Sequence, residues 1–92
     1  MAPFKKIRGV NLPYRKQGRI YFTLINYEEQ PKRIKDRIDK LIDNAAHGDA
    51  AYRAALRSWL LKENGSVISV AMEYAVSEST LYRARKFIYE NW

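Results

Sequence analysis

The stretch AMEYAVSESTLYRARKF, residues 71–87, joins two apolar-periodic segments through a short polar turn. Ser77 can cap a helix, because its hydroxyl can accept a hydrogen bond from a free backbone N–H group in the first turn. Val76 and Leu81 stand at the two positions that close a hydrophobic staple around such a cap. The stretch therefore predicts two short helices joined as a helix-turn-helix at about residues 66–91.

Further helices are predicted upstream of this turn. Asp49 is a good N-cap for a helix over residues 50–63, which carries Trp59 on its apolar stripe, and Ser66 can cap the short helix that precedes the turn. Residues 32–45 have the clearest amphipathic pattern, and Pro31 predicts a break just before them. Residues 20–27 fit either a strand or a helix. We favour the helix, because the sequence offers no second strand with which a lone strand could pair.

The predicted fold class is therefore all-α, a small bundle of four to five helices over residues 20–92. The first nineteen residues are predicted to form a flexible basic arm, because two prolines and two glycines interrupt any regular period. This segment holds six positive side chains and no acid, and the whole chain has a formal charge of +7. Such a basic excess points to a polyanionic partner, most often nucleic acid.

Composition argues against several classes of function. Cysteine is absent, so neither a disulfide framework nor a thiolate metal site or nucleophile is expected. His47 is the only histidine, and no phosphate-cradling glycine motif or metal-ligand spacing occurs. We therefore expect no catalytic residues, no metal and no cofactor. No apolar run is long enough to span a bilayer, which predicts a cytoplasmic protein without a membrane partner.

Three apolar residues of the amphipathic segment, Ile34, Ile38 and Leu41, follow a heptad-like spacing. This spacing indicates a possible homodimer interface, as in a coiled coil. The alternative is that the same stripe packs within the monomer. The run covers only two uninterrupted heptads, and the alternatives remain open at this point.

Residues 67–86, VISVAMEYAVSESTLYRARK, resemble the twenty-residue core of the helix-turn-helix DNA-binding family. The positions that this family keeps inside hold Val70, Tyr74, Val76, Leu81 and Ala84. Ala75 stands where the family usually has glycine at a left-handed turn. Residues 50–92 are similar to the region-4-like modules of sigma factors and to phage late-gene regulators of the ArpU and RinA type, in which a VSxSTxYRxRK segment is typical.

The resemblance implies a protein that binds double-stranded DNA in a sequence-specific way. Such a protein would regulate transcription for a phage or mobile element, in the cytoplasm of a bacterial host. With the apolar positions of the last helix turned inward, its candidate DNA-binding residues are Ser77, Glu78, Ser79, Tyr82, Arg83 and Lys86. In the arm the candidates are Arg15, Lys16 and Arg19, which could follow phosphates or belong to a solvated tail.

Two other functions and one other ligand are compatible with the same residues. The chain could be a phage DNA-packaging component, since subunits of terminases also use helix-turn-helix domains. It could instead be a protein-interaction module that contacts RNA polymerase or another host protein, steered by its positive charge. Aromatic residues interleaved with the basic ones near the N-terminus could also stack on unpaired bases of a single strand.

Overall fold

The computed structural model describes residues 4–62 and 65–92, and this part of the chain contains five α-helices and no strand. The helices are α1 (Tyr14–Ile25), α2 (Lys32–Ala45), α3 (Ala50–Leu60), α4 (Val67–Tyr74) and α5 (Glu78–Glu90), with a 3₁₀ turn at Tyr27–Glu29 between α1 and α2. The all-α prediction is confirmed. No helix in these ranges combines the length and the apolar character that crossing a bilayer requires.

Three helices begin at the side-chain caps that the sequence predicts. The side chains of Asp49, Ser66 and Ser77 each accept a hydrogen bond from the backbone N–H three residues further on, at 2.9, 3.3 and 3.1 Å. Each cap satisfies one of the backbone donors that a helix start leaves unpaired. The starts of α3, α4 and α5 are therefore fixed by local chemistry.

The core lies where all five helices meet. Its largest fully buried side chains are Gln17, Ile20, Leu24, Ile38, Ile42, Leu56, Leu81 and Ile88. Seven of these eight are aliphatic, and each such side chain contributes about 1.5–3 kcal/mol through its removal from water. The exception is Gln17, which is a polar side chain with no exposed surface.

The prediction that three residues of α2 form a dimer interface is wrong for two of them. Ile38 has no exposed surface and Leu41 is 9% exposed, because the apolar stripe of α2 packs into the core of the monomer. Ile34 is half-buried against the same core. The heptad-like spacing thus serves packing within one chain, which was the alternative reading of the pattern.

The predicted flexible arm over residues 1–19 is also wrong at its boundary. Helix α1 begins at Tyr14, and Pro13 occupies its N-cap position with an extended backbone. A proline before the first turn is compatible with a helix, because the first N–H groups have no partner in the helix. Gly18 lies inside α1, where glycine costs only about 1 kcal/mol relative to alanine.

Part of the segment before α1 is folded onto the protein. Val10 is 6% exposed, and the Gln17 side-chain amide donates to the backbone oxygens of Val10 and Leu12 at 3.3 and 3.0 Å. The backbone N–H of Ile7 donates to Gln17 Oε1 at 2.8 Å. One buried glutamine thereby holds three points of residues 4–12, which we call the N-terminal segment. Residues 1–3 of the predicted arm lie outside the described residues.

Gly65, just before α4, lies close to the end of α3. Helix α3 ends at Leu60, whereas the sequence predicts it as far as residue 63. Gly65 lies so close to the backbone of Trp59 that a Cβ at position 65 would collide with the Trp59 carbonyl oxygen. Glycine is therefore required at this close approach. Residues 63 and 64 lie outside the described part of the chain.

Candidate nucleic-acid interface

The turn between α4 and α5 is held by backbone geometry and one capping side chain. Ala75 adopts a left-handed conformation, with φ 55° and ψ 42°, directly after α4. The backbone N–H of Val76 then donates to the Ala71 oxygen at 3.0 Å, which closes the end of α4. Ser77 follows in an extended conformation and caps α5. Three residues thus separate the two helices.

The side chains of α5 divide into a buried face and an exposed face. Leu81, Ala84 and Ile88 are buried in the core. The predicted DNA-binding residues around this helix are all exposed, namely Ser77, Glu78, Ser79, Tyr82, Arg83 and Lys86. The structure therefore places these six residues together around the start and along the outer side of one helix.

Contacts with neighbouring residues leave most of the Arg83 guanidinium available to bind a ligand. Its guanidinium Nη2 lies 3.5 Å from Thr80 Oγ1, which is a long hydrogen bond. The backbone oxygen of Thr80 accepts from the Tyr52 hydroxyl at 2.8 Å, and this bond ties α5 to α3. Burial raises the pKa of Tyr52, and the nearby positive charge of Arg83 opposes that rise. Among the described residues, the long bond to Thr80 is the one hydrogen bond of the Arg83 guanidinium, and its other donors can bind a ligand.

The side chains of Tyr82 and Lys86 are held by weaker contacts than the buried side chains of α5. The Tyr82 ring is 44% exposed, and its edge packs against Trp59 at a centroid distance of 5.7 Å. This contact restricts the ring, although nearly half of the residue remains exposed to a ligand. Lys86 Nζ lies 4.0 Å from Glu90 Oε2, one turn along the helix. Since such exposed pairs contribute little, Lys86 can exchange this partner for another anion.

Sequence analysis missed Arg8 as a neighbour of α5. A cavity of about 330 Å³ lies between the N-terminal segment and α5, and its lining includes Arg8, Arg83 and Lys86. The segment is tied there because the Asn11 N–H donates to Glu90 Oε2 at 2.9 Å. The sequence places Arg8 only within a basic segment, because a sequence pattern does not reveal which helix such a segment contacts. Arg8 enlarges the positive surface beside α5.

The three arm residues predicted to bind DNA lie elsewhere. Arg15, Lys16 and Arg19 are exposed on α1. Arg15 and Arg19 line a separate cavity of about 780 Å³ together with Phe4, and none of the α5 candidates lines it. The structure therefore brings these basic residues together on a helix, and it does not join them to the α5 face in one cavity.

No metal centre is formed by the residues that the structure describes. Within residues 4–62 and 65–92, no group of three or more histidine, aspartate or glutamate side chains could hold a metal ion. His47 is exposed, has a positive φ of 52° and, with Gly48, forms the left-handed turn that follows α2. Its position is that of a turn residue.

No family model, curated protein or solved structure matches this chain.

Proposed function

We propose that the chain binds double-stranded DNA through a helix-turn-helix made of α4 and α5, with α5 as the helix that reads the major groove. The observation that carries the proposal is the combination at this turn: a left-handed Ala75, a capping Ser77 and an exposed polar face on the helix that follows. A short capped helix with one face buried and the other face polar can lie in a major groove without losing its packing.

Each exposed side chain has a chemical role in this proposal. Arg83 makes a bidentate hydrogen bond to a guanine edge, which discriminates against the wrong base by about 1–3 kcal/mol. Lys86 and the start of α5 bind phosphates, because a helix N-terminus favours anions. Tyr82 either donates to a phosphate or contacts a thymine methyl group. Arg8 adds sequence-independent attraction.

The biological role that we propose is regulation of transcription for a phage or mobile element, in the cytoplasm of a bacterial host. The resemblance of residues 67–86 to helix-turn-helix proteins supports it, and so does the formal charge of +7. The proposed activity is binding alone, without catalysis or a cofactor.

Fluorescence anisotropy with labelled random-sequence duplex DNA tests the proposal, using the wild type, an Arg83→Ala/Lys86→Ala variant and a matched control. The control is Lys32→Ala/Arg33→Ala, which removes the same charge from exposed positions at the start of α2. If about five phosphates are neutralised, log K falls with log salt with a slope near −4.5. The α5 variant should bind more weakly than the control and have a shallower slope.

Two results would contradict the proposal. One is no binding at about 50 mM salt, where electrostatic attraction to DNA is strong. The other is an equal loss in the α5 variant and the α2 control, because that would assign the binding to net charge alone. If the expected difference is found, selection from a random library then identifies the preferred site.

A second candidate function is supported by an apolar pair on α4. Ile68 and Met72 are 58% and 80% exposed, and they lie four residues apart, hence on the same face of the helix. Adjacent exposed apolar side chains are typical of protein contacts. The partner would be RNA polymerase or another host protein. Biolayer interferometry with purified bacterial RNA polymerase tests this function, and loss of binding in Met72→Glu with DNA affinity unchanged would support it.

A DNA-packaging component remains a further alternative to a regulator. It predicts ring-like oligomers in sedimentation velocity, whereas the regulator does not require them. The two roles share the proposed α5 contact with DNA, so only the assembly state separates them in this measurement.

A further inference from the structure

Arg85 is enclosed by aromatic rings although it lies next to the exposed face of α5. Its guanidinium carbon is 4.9 Å from the centroid of the Trp59 ring and 5.2 Å from that of Tyr82. Its Nε atom is buried and has no hydrogen-bond partner among the residues that the structure describes. Buried polar atoms are nearly always hydrogen-bonded, so this unpaired donor adds to the free-energy cost of burying the guanidinium.

The charge of Arg85 also has no carboxylate partner among the described residues. The ion pairs of residues 4–62 and 65–92 do not include it. Burial lowers the pKa of Arg85, and the neighbouring tyrosines oppose that shift. Stacking on two rings offsets part of the cost of burial. A partly buried guanidinium without a counter-charge is nevertheless an unfavourable arrangement, and binding an anion would relieve it.

A cavity of about 290 Å³ gives such an anion access to Arg85. The cavity lies between the N-terminal segment, α1, α3 and α5, and Arg85 shares its lining with Lys5 and Lys62. No acidic residue is among the described residues that line it. Aromatic side chains, among them Trp59 and Tyr89, supply part of the wall, and Ile7, Leu60 and Gly65 complete it. Three positively charged residues thus line one partly enclosed cavity, where electrostatic attraction is stronger than in bulk water.

We propose that this cavity binds a phosphate group, held by the terminal N–H groups of Arg85 and by the ammonium groups of Lys5 and Lys62. Guanidinium matches phosphate geometry because it can donate two parallel hydrogen bonds, and lysine supplies point charges. The stacked rings hold the guanidinium plane in place before the ligand arrives, which reduces the entropy lost on binding.

The proposed phosphate site adjoins the face of α5 that we propose to read bases, because Arg85 also lines the cavity of about 330 Å³ beside Arg83 and Lys86. None of Lys5, Lys62 and Arg85 belongs to the outward row of Ser79, Tyr82, Arg83 and Lys86. The cavity volume is close to the lower end of the range of small-molecule sites, so a phosphate or a single nucleotide is the right size of ligand. The phosphate could belong to a free mononucleotide or to a nucleotide within a strand.

NMR titration of the Arg85 Nε–Hε resonance in the full chain tests the proposal. The probes are inorganic phosphate, deoxyadenosine monophosphate and a short deoxythymidine oligonucleotide, each added at constant ionic strength with sodium chloride as the balancing salt. A saturable shift is expected with inorganic phosphate. All three ligands carry the same phosphate chemistry. The one with the highest affinity therefore identifies the source of the phosphate, which is a free ion, a mononucleotide or a strand.

Two exposed lysines allow the site to be weakened without touching the core. Lys5→Gln/Lys62→Gln should lower the affinity for inorganic phosphate by about tenfold or more, since two charge-assisted contacts are removed. Lys40→Gln, at an exposed position of α2, serves as the control and should leave the affinity unchanged. Absence of a saturable shift, or equal affinities of the double variant and the control, would overturn the proposal.

Duplex binding and phosphate titration, measured on the same proteins, distinguish this proposal from the DNA-binding proposal. Arg83→Ala should weaken duplex binding and leave the phosphate-induced shift of Arg85 in place. If duplex DNA does not bind but phosphate does, the α5 proposal fails and the phosphate site stands. If duplex DNA binds and phosphate causes no saturable shift, the phosphate site fails instead.

Discussion

Arg57 Nη1 lies 2.7 Å from Asp39 Oδ1, and this ion pair joins α3 to α2. The hydroxyl of Tyr27 donates to both oxygens of the same carboxylate, at 2.8 and 3.0 Å. The Arg57 guanidinium also lies over the Tyr27 ring, 5.0 Å from its centroid. One carboxylate therefore connects two helices and the 3₁₀ turn that precedes α2.

Asp39→Asn should lower the free energy of unfolding by about 1 kcal/mol, because the ion pair is lost while a hydrogen-bonding group remains. The side chains of Asp39 and Arg57 are 40% and 37% exposed, so solvent screening keeps the expected loss small. Asp36→Asn, an exposed change on the same helix, is the matched control. Urea denaturation measures both, and equal midpoints would contradict the prediction.

Ser77→Ala should destabilise the protein by about 1 kcal/mol through loss of the α5 cap. Ser77→Asp should restore the stability, since aspartate also caps helices and its charge suits a helix N-terminus. The two variants should behave differently towards DNA. If α5 approaches phosphates at its start, the aspartate variant binds duplex DNA more weakly than the alanine variant. Circular dichroism melting and anisotropy measure the two properties, and the reverse order of affinity would argue against contact there.

Ile38→Ala should lower the free energy of unfolding by about 2–4 kcal/mol, because it leaves a cavity in the core of the monomer. The urea midpoint of the wild type and of this variant should not depend on protein concentration. Ile34→Ala should cost less, since Ile34 is only half-buried. A midpoint that rises with concentration in the wild type, and loses that dependence in Ile38→Ala, would restore the dimer interpretation of the α2 stripe.

Alkaline pH should destabilise the fold through Tyr89, which is 2% exposed. Burial raises the pKa of Tyr89 above its ordinary value of 10.0, and the Arg85 charge opposes the rise. Above about pH 10 the unfolded chain releases a proton that the folded chain retains, so stability falls as the pH rises through this window. The wild type should therefore lose stability more steeply than Tyr89→Phe between about pH 9.5 and 11. Parallel pH profiles of the two proteins would contradict this.

The starts of α3, α4 and α5 could be predicted because the relevant chemistry is local. Asp49, Ser66 and Ser77 each cap a helix within three residues of their own position, so a short window of sequence contains the whole interaction. The inward face of α5 could be predicted for the same reason, since helical periodicity fixes which residues share a side. The exposed candidate residues on α5 followed from that periodicity.

Features that depend on distant contacts could not be predicted in this way. Gln17 looks like a surface residue, and only its bonds to the N-terminal segment explain its complete burial. Arg85 lies at the boundary between the two faces of α5, and its surroundings come from Trp59 on α3 and from Lys5 near the N-terminus. Periodicity within one helix contains no information about these partners.

The hydrogen bond between the Asn11 N–H and Glu90 spans 79 residues of sequence, so its two partners are synthesised at different times. A ribosome that adds about 5–20 residues per second needs roughly 4–16 s to extend the chain from one partner to the other. During that interval the surface of α5 that receives the N-terminal segment does not yet exist. Residues 4–12 can therefore make their contacts with α5 only after synthesis has passed that helix.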